Sequence, residues 1–165
     1  MHHRWLMRVA LSCSVAGMAS DAPAWLFQSS RTLVAVLAHA DDEGALAPVV
    51  ARYAREGVQA YMVVVSDGRA ASRQERQIPR PDVALTGDEF AAVRAEEARC
   101  AARELGMQPL ILLGFPDGKL GDYVADPALV YRATERIAAE LRRLRPDVVI
   151  TWGPMEEPAI LIIES

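Results

Sequence analysis

A chain of 165 residues, 52% hydrophobic and 24% charged, is long enough for one domain with a real core and too apolar for a disordered chain. Its net charge is −4, and its Arg and Lys lie mostly beside Asp or Glu, so no basic stripe for a nucleic-acid backbone forms. Its two cysteines, Cys13 and Cys100, form no CxxC or Cys/His cluster of structural-zinc spacing.

The first 25 residues read as a signal peptide or a disordered leader. Arg4 and Arg8 precede the short apolar run Val9 to Ala19, and small residues follow at Ala19, Ser20, Ala22 and Ala24. The run is far shorter than the ~20 residues needed to span a bilayer, so no integral membrane span is expected. Cleavage would place the protein in the periplasm or outside the cell; without it the protein stays cytoplasmic. A cleaved chain keeps Cys100 alone and forms no internal disulfide.

Residues 31–154 alternate strand and helix patterns. Thr32 to Ala38 is a continuous apolar run, as in a strand buried on both faces. A helix is expected from Ala45 to Glu56, ended by Gly57, with Pro48 in its first turn. Val58 to Ser66 is a second strand, and 67–87 is a long polar loop. Thr86 and Glu89 have capping-box spacing and open a helix that stops at Gly106. Its expected apolar stripe is Phe90, Val93, Ala101 and Leu105, with Cys100, Met62 and Met107 as core filler. Leu110 to Leu113 is a short third strand, and 114–126 is rich in turn residues. Asp126 caps a helix with Pro127 at its first position; Val130, Ile137, Leu141 and Leu144 are its expected inward face. Asp147 to Thr151 is a fourth strand. The tail 155–165 fits no further strand–helix unit. The pattern predicts an α/β, Rossmann-like three-layer sandwich around a mainly parallel sheet, with ligands at the carboxyl ends of its strands.

The densest chemistry follows the first strand: His39-Ala40-Asp41-Asp42-Glu43. An imidazole with several carboxylates and an open water position is a catalytic zinc shell. One carboxylate can ligate while its neighbour faces the metal-bound water as base. The acids alone would more often be helix caps that favour the helix dipole; the histidine and the strand-end position tip the balance toward a site. Glu97 falls between Val93 and Ala101 on the expected stripe. A carboxylate there needs a partner, which Arg94 supplies either as a structural ion pair or as a substrate-facing group. Pro116-Asp117-Gly118 is by itself a turn signature. Trp152 either lines a pocket at the sheet edge or packs.

These residues together resemble the PIG-L/LmbE-like family of zinc-dependent N-deacetylases, whose first strand ends in A-H-P-D-D-E. Ala38-His39-Ala40-Asp41-Asp42-Glu43 differs by one substitution. Arg94-Ala95-Glu96-Glu97 ahead of Leu105-Gly106 is similar to the family's R-x-x-E helix ending in L-G. Gly114-Phe115-Pro116-Asp117-Gly118 is similar to its substrate loop. The resemblance implies zinc, or another divalent metal, held by His39 and Asp42. It implies Asp41 as general base, Arg94 and Asp117 as substrate-binding residues, and an N-acetylated sugar or glycoconjugate as substrate. Ala40 replaces a proline that would bias His39 toward extended geometry. The family continues after the fourth strand into a Gly-rich loop with H-x-D-H, the source of a third zinc ligand and an oxyanion-stabilising histidine. Here Met155-Glu156-Glu157-Pro158 follows, and no histidine occurs after His39. The expectation is therefore a C-terminally truncated, incomplete domain, inactive as it stands. A receiver-like phosphoacceptor domain is the alternative from another class, since receivers also carry paired acids after strand one.

Overall fold

The computed structural model describes residues 31–70, 84–118, 125–152 and 158–162. The leader 1–25 and the centres of both long loops lie outside the described residues. Five strands form one sheet: β1 (Thr32–Leu37), β2 (Gln59–Ser66), β3 (Ile111–Phe115), β4 (Val148–Trp152) and β5 (Pro158–Ile162). The order across the sheet is β3-β2-β1-β4-β5. The first four are mutually parallel, and β5 runs antiparallel to β4. Among the described residues three α-helices, α1 (Ala47–Arg55), α2 (Gly87–Glu104) and α3 (Pro127–Leu144), connect them. The mainly parallel α/β sandwich expected from the sequence is thus present. Its order is the 3-2-1-4 arrangement of dinucleotide-binding sheets; receiver domains are wound 2-1-3-4-5, which removes that alternative.

The winding follows from handedness. β1-α1-β2 and β2-α2-β3 step in one direction, and right-handed crossovers put α1 and α2 on the same face. The chain then returns past β1 to lay down β4, so α3 covers the opposite face. Strand alternation divides the core accordingly. Leu33, Ala35 and Leu37 point to one cluster with Val50, Ala98 and Ala102, while Val34 and Val36 point to the other, lined by Ile137, Leu141 and Leu144. The reversal makes β1/β4 the switch point, where an open α/β sheet leaves a crevice beyond its strand ends.

Several expectations change in detail. A short 3-10 helix (Asp42–Ala45) precedes α1, which begins at Ala47 with Pro48 in its first turn. On α2 the buried residues are Phe90, Ala98 and Ala102, while Val93, Ala101 and Leu105 are half-buried. The stripe is therefore shifted around the helix, and Glu97 is exposed. Cys100 is exposed too, so it is not core filler. Val130 is also exposed; Leu129 and Ala133 take the inward positions on α3, one step round the helix. Finally, the tail supplies β5. Only 153–157 separate it from β4, and a parallel return needs about a dozen residues or more, so the chain can come back only antiparallel.

Candidate functional site

All four parallel strands deliver their carboxyl ends to one edge, and each carries polar chemistry there. β1 leads into His39, β2 into Asp67, β3 into Asp117, and β4 ends at Trp152. Asp42 turns back on the strand end: its Oδ2 accepts a hydrogen bond from the His39 backbone N–H at 2.8 Å and lies 3.7 Å from His39 Nδ1. On the other side of the ring, His39 Nε2 is 3.1 Å from Asp117 Oδ1. The β1 and β3 loops therefore meet at this imidazole. Asp41 points elsewhere, its Oδ2 lying 2.7 Å from Arg94 Nη2. Arg94 is held in turn by Glu97 at 2.6 Å and stacks over the Phe90 ring at 5.7 Å. All five candidate residues thus lie at one sheet edge, in two contact sets: His39 with Asp42 and Asp117, and Asp41 with Arg94.

The capping explanation for the acids is not what the geometry shows. Asp41 is the N-cap residue of the 3-10 helix, yet its side chain makes no capping hydrogen bond. Asp42 and Asp41 are aimed at different partners, as a division between ligand and base requires. Glu43 follows with its Oε2 buried and unpartnered. Burial is the main influence on its carboxyl and raises its pKa above the usual glutamate value; a backbone hydrogen bond opposes the rise, and neighbouring Asp41 adds to it. Two other buried atoms without hydrogen-bond partners, Ser66 Oγ and Trp152 Nε1, belong to the last residues of β2 and β4.

Asp67, which the sequence places only at the start of a long polar loop, belongs to this edge as well. Its Oδ1 accepts hydrogen bonds from Arg69 N at 3.1 Å and Asp117 N at 3.3 Å, and its own N–H donates to Phe115 O at 2.8 Å. Asp117 answers by accepting from Ala70 N at 3.2 Å and from Gly118 N at 2.7 Å. The β2 and β3 loops are stapled together by these two aspartates. Gly118 has φ +69°, and a Cβ there would collide with Ala70 Cβ, so only glycine permits the approach. The signal in the sequence was Asp67-Gly68 directly after a buried strand, the same strand-end position that made His39 conspicuous.

His39 Nδ1 and Asp42 Oδ2 are close enough for one ion to touch both, since zinc–ligand bonds are about 2.0–2.2 Å. The pair suits two positions of a zinc shell. Among the described residues, no group of three His, Cys, Asp or Glu side chains is gathered to hold an ion, so a third protein ligand is not found there. No helix among them is long and apolar enough to cross a membrane.

The family model described as PIG-L, GlcNAc-PI de-N-acetylase, matches residues 34–159. A 1D-myo-inositol 2-acetamido-2-deoxy-alpha-D-glucopyranoside deacetylase of Rhodococcus jostii (strain RHA1) is 32% identical over 141 residues, covering 76% of this chain and 47% of its own length. The chain thus spans about half of that relative. Among solved structures, the N,N'-diacetylchitobiose deacetylase of Pyrococcus horikoshii superposes with a TM-score of 0.56 at 24% identity, over 74% of this chain and 41% of its own. A 4-carboxy-2-hydroxymuconate hydratase of Pseudomonas putida KT2440 superposes with a TM-score of 0.57 at 23% identity, over 72% of this chain and 45% of its own. At those identities the likeness is one of fold, and the fold alone does not choose between amide hydrolysis and hydration.

Proposed function

This chain belongs to the PIG-L family of GlcNAc-PI de-N-acetylases, and from that premise we propose that it carries the base and two metal ligands of a zinc-dependent hydrolase that removes an N-acetyl group from an amino sugar or glycoconjugate. The observation that supports this most directly is the separation of two adjacent carboxylates: Asp42 turned to His39, Asp41 turned away from it to Arg94. His39 Nδ1 and Asp42 Oδ2 would hold the ion. When bound, zinc would polarise the acetyl carbonyl and lower the pKa of a water beside it.

The chain's own residues then have distinct work. Asp41 takes the proton of the attacking water and returns it to the leaving amine. Arg94 fixes one oxygen of Asp41 and leaves the other free for that proton. Arg94 and Asp117 also bind polar groups of the sugar. Residues 155–165 contain no histidine, so they supply neither the oxyanion donor nor the third ligand of the family's H-x-D-H loop. Removal of residues 1–25 as a signal peptide would place it outside the cytoplasm.

Acetate release from an N-acetylglucosaminyl conjugate tests this reading. The substrate is offered to the chain and to a version extended after Pro154 with the corresponding segment of a full-length family member. The extended protein is expected to hydrolyse it only with zinc. Asp41→Asn should lower that rate by about 10²–10⁴, the usual contribution of a general base, and leave zinc affinity unchanged. An Asp41→Asn protein that keeps its rate would remove Asp41 from the base role.

A further inference from the structure

We propose that Asp117 is a positioning residue for His39, fixing its proton on Nε2, and that Asp67 in turn sets Asp117. The inference rests on the zinc reading above for its consequence, but not for its geometry. A neutral imidazole carries its single ring proton on one nitrogen and a lone pair on the other. With Nε2 protonated toward Asp117 Oδ1, 3.1 Å away, the lone pair sits on Nδ1. Nδ1 is the nitrogen beside Asp42 Oδ2. A carboxylate on the far nitrogen of a ligating histidine fixes both the tautomer and the ring orientation, and raises the ligand's basicity.

Asp117 is itself fixed in a way that suits such a role better than binding substrate alone. Its side chain is 12% exposed. An ionised carboxylate has about four acceptor sites. Gly118 N and His39 Nε2 face Oδ1, and Ala70 N donates to Oδ2, leaving about one site for a substrate hydroxyl. Its backbone is held as well: Asp117 N donates to Asp67 Oδ1, which Arg69 N also approaches. Three loops, following β1, β2 and β3, are thereby locked in series as Asp67, Asp117 and His39. The lock also answers the loss of the usual proline at position 40. Alanine does not impose the extended bias that proline would; instead Asp42 Oδ2 holds the His39 N–H and Asp117 orders the ring.

Two measurements on the full chain test the proposal. The chain has three histidines, so His2→Gln and His3→Gln leave His39 as the single imidazole. In the metal-free protein at about pH 8.5, two units above the ordinary imidazole pKa, long-range nitrogen–proton NMR correlations should show one tautomer, protonated on Nε2. Asp117→Ala should convert this to an exchange average of both tautomers, and Asp67→Ala should move it part of the way. Asp117→Asn preserves the shape and a weaker acceptor, and should stay close to the parent. In the second measurement, zinc affinity by calorimetry should fall about 10–100-fold in Asp117→Ala, with Asp117→Asn in between. If Asp117→Ala is poorly folded, Asp67→Ala decides the matter: zinc affinity and tautomer both equal to the parent's in that variant overturn the proposal. A parent that binds no zinc but shows an Asp117-dependent single tautomer keeps the positioning role and defeats the zinc reading alone. A parent that binds zinc equally well with and without Asp117 does the reverse.

Discussion

At the scale of single residues, the carboxyl edge of the sheet is where polar groups are left unsatisfied. Glu43 Oε2 lies buried with no partner, and burial raises its pKa. A glutamate whose folded pKa is raised holds its proton more tightly in the native state than in the unfolded one. Stability then falls as pH rises from about 4.5 through the folded pKa. Glutamine mimics the protonated form, so Glu43→Gln should match the parent in acid and exceed it at neutral pH. Urea denaturation across that range measures the difference; equal midpoints at all pH values would mean that the carboxylate finds solvent or a partner. Gly118→Ala acts at the same scale. The new Cβ meets Ala70 and must force the β2 and β3 loops apart, so the His39 signal in that variant should resemble that of Asp117→Ala.

At the scale of elements, helix ends carry their stability in identifiable hydrogen bonds. The capping box of α2 is complete: Glu89 N donates to Thr86 Oγ1 at 3.3 Å, and Thr86 N donates to Glu89 Oε2 at 2.9 Å. Thr86→Ala should cost about 1 kcal/mol, read from chemical denaturation. The two long helices end differently. The chain leaves α2 through Gly106 at φ +74°, where a left-handed turn is free of strain, but leaves α3 through Arg145 at φ +48°, a conformation that costs any residue with a Cβ about 1–2 kcal/mol. Arg145→Gly should relieve that strain and recover a net gain of about 0.5–1 kcal/mol after the entropy that glycine adds to the unfolded chain. A lower denaturation midpoint in that variant would show that the arginine side chain matters more than its backbone.

At the scale of the whole molecule, one sheet with helices on both faces makes two cores that share β1. Met62 is completely buried in β2, against the cluster that α1 and α2 close. Met62→Ala should cost about 2–5 kcal/mol. The same substitution lies several residues from the carboxyl edge, so zinc affinity in the folded protein should change little. A large loss of affinity at unchanged fold would mean that core and site are less separable than the sheet topology implies.

The sequence by itself determined the parallel strands, both capped helices and the cluster after β1, because each is written in contiguous residues: apolar runs, Thr86 with Glu89, Asp126 with Pro127, and His39 through Glu43. It also carried the pairing of Arg94 with Glu97, though for the wrong reason, since Glu97 is exposed rather than on a buried stripe. Helix faces differ from the expected ones by one position, Ala102 for Ala101 on α2 and Leu129 for Val130 on α3, and Cys100 is exposed rather than core, because small alanines on both helices give a weak periodic signal. The antiparallel β5 was missed because its tail breaks the strand–helix alternation, although five residues of linker permit only that return. What tertiary structure alone decided is the meeting of distant loops. Asp67 and Asp117 lie 50 positions apart, and His39 further still from Asp117; nothing local links them. They meet because parallel pairing in the order β3-β2-β1 lines up three strand ends, and a long-range contact of this kind has no signature in any single stretch of chain.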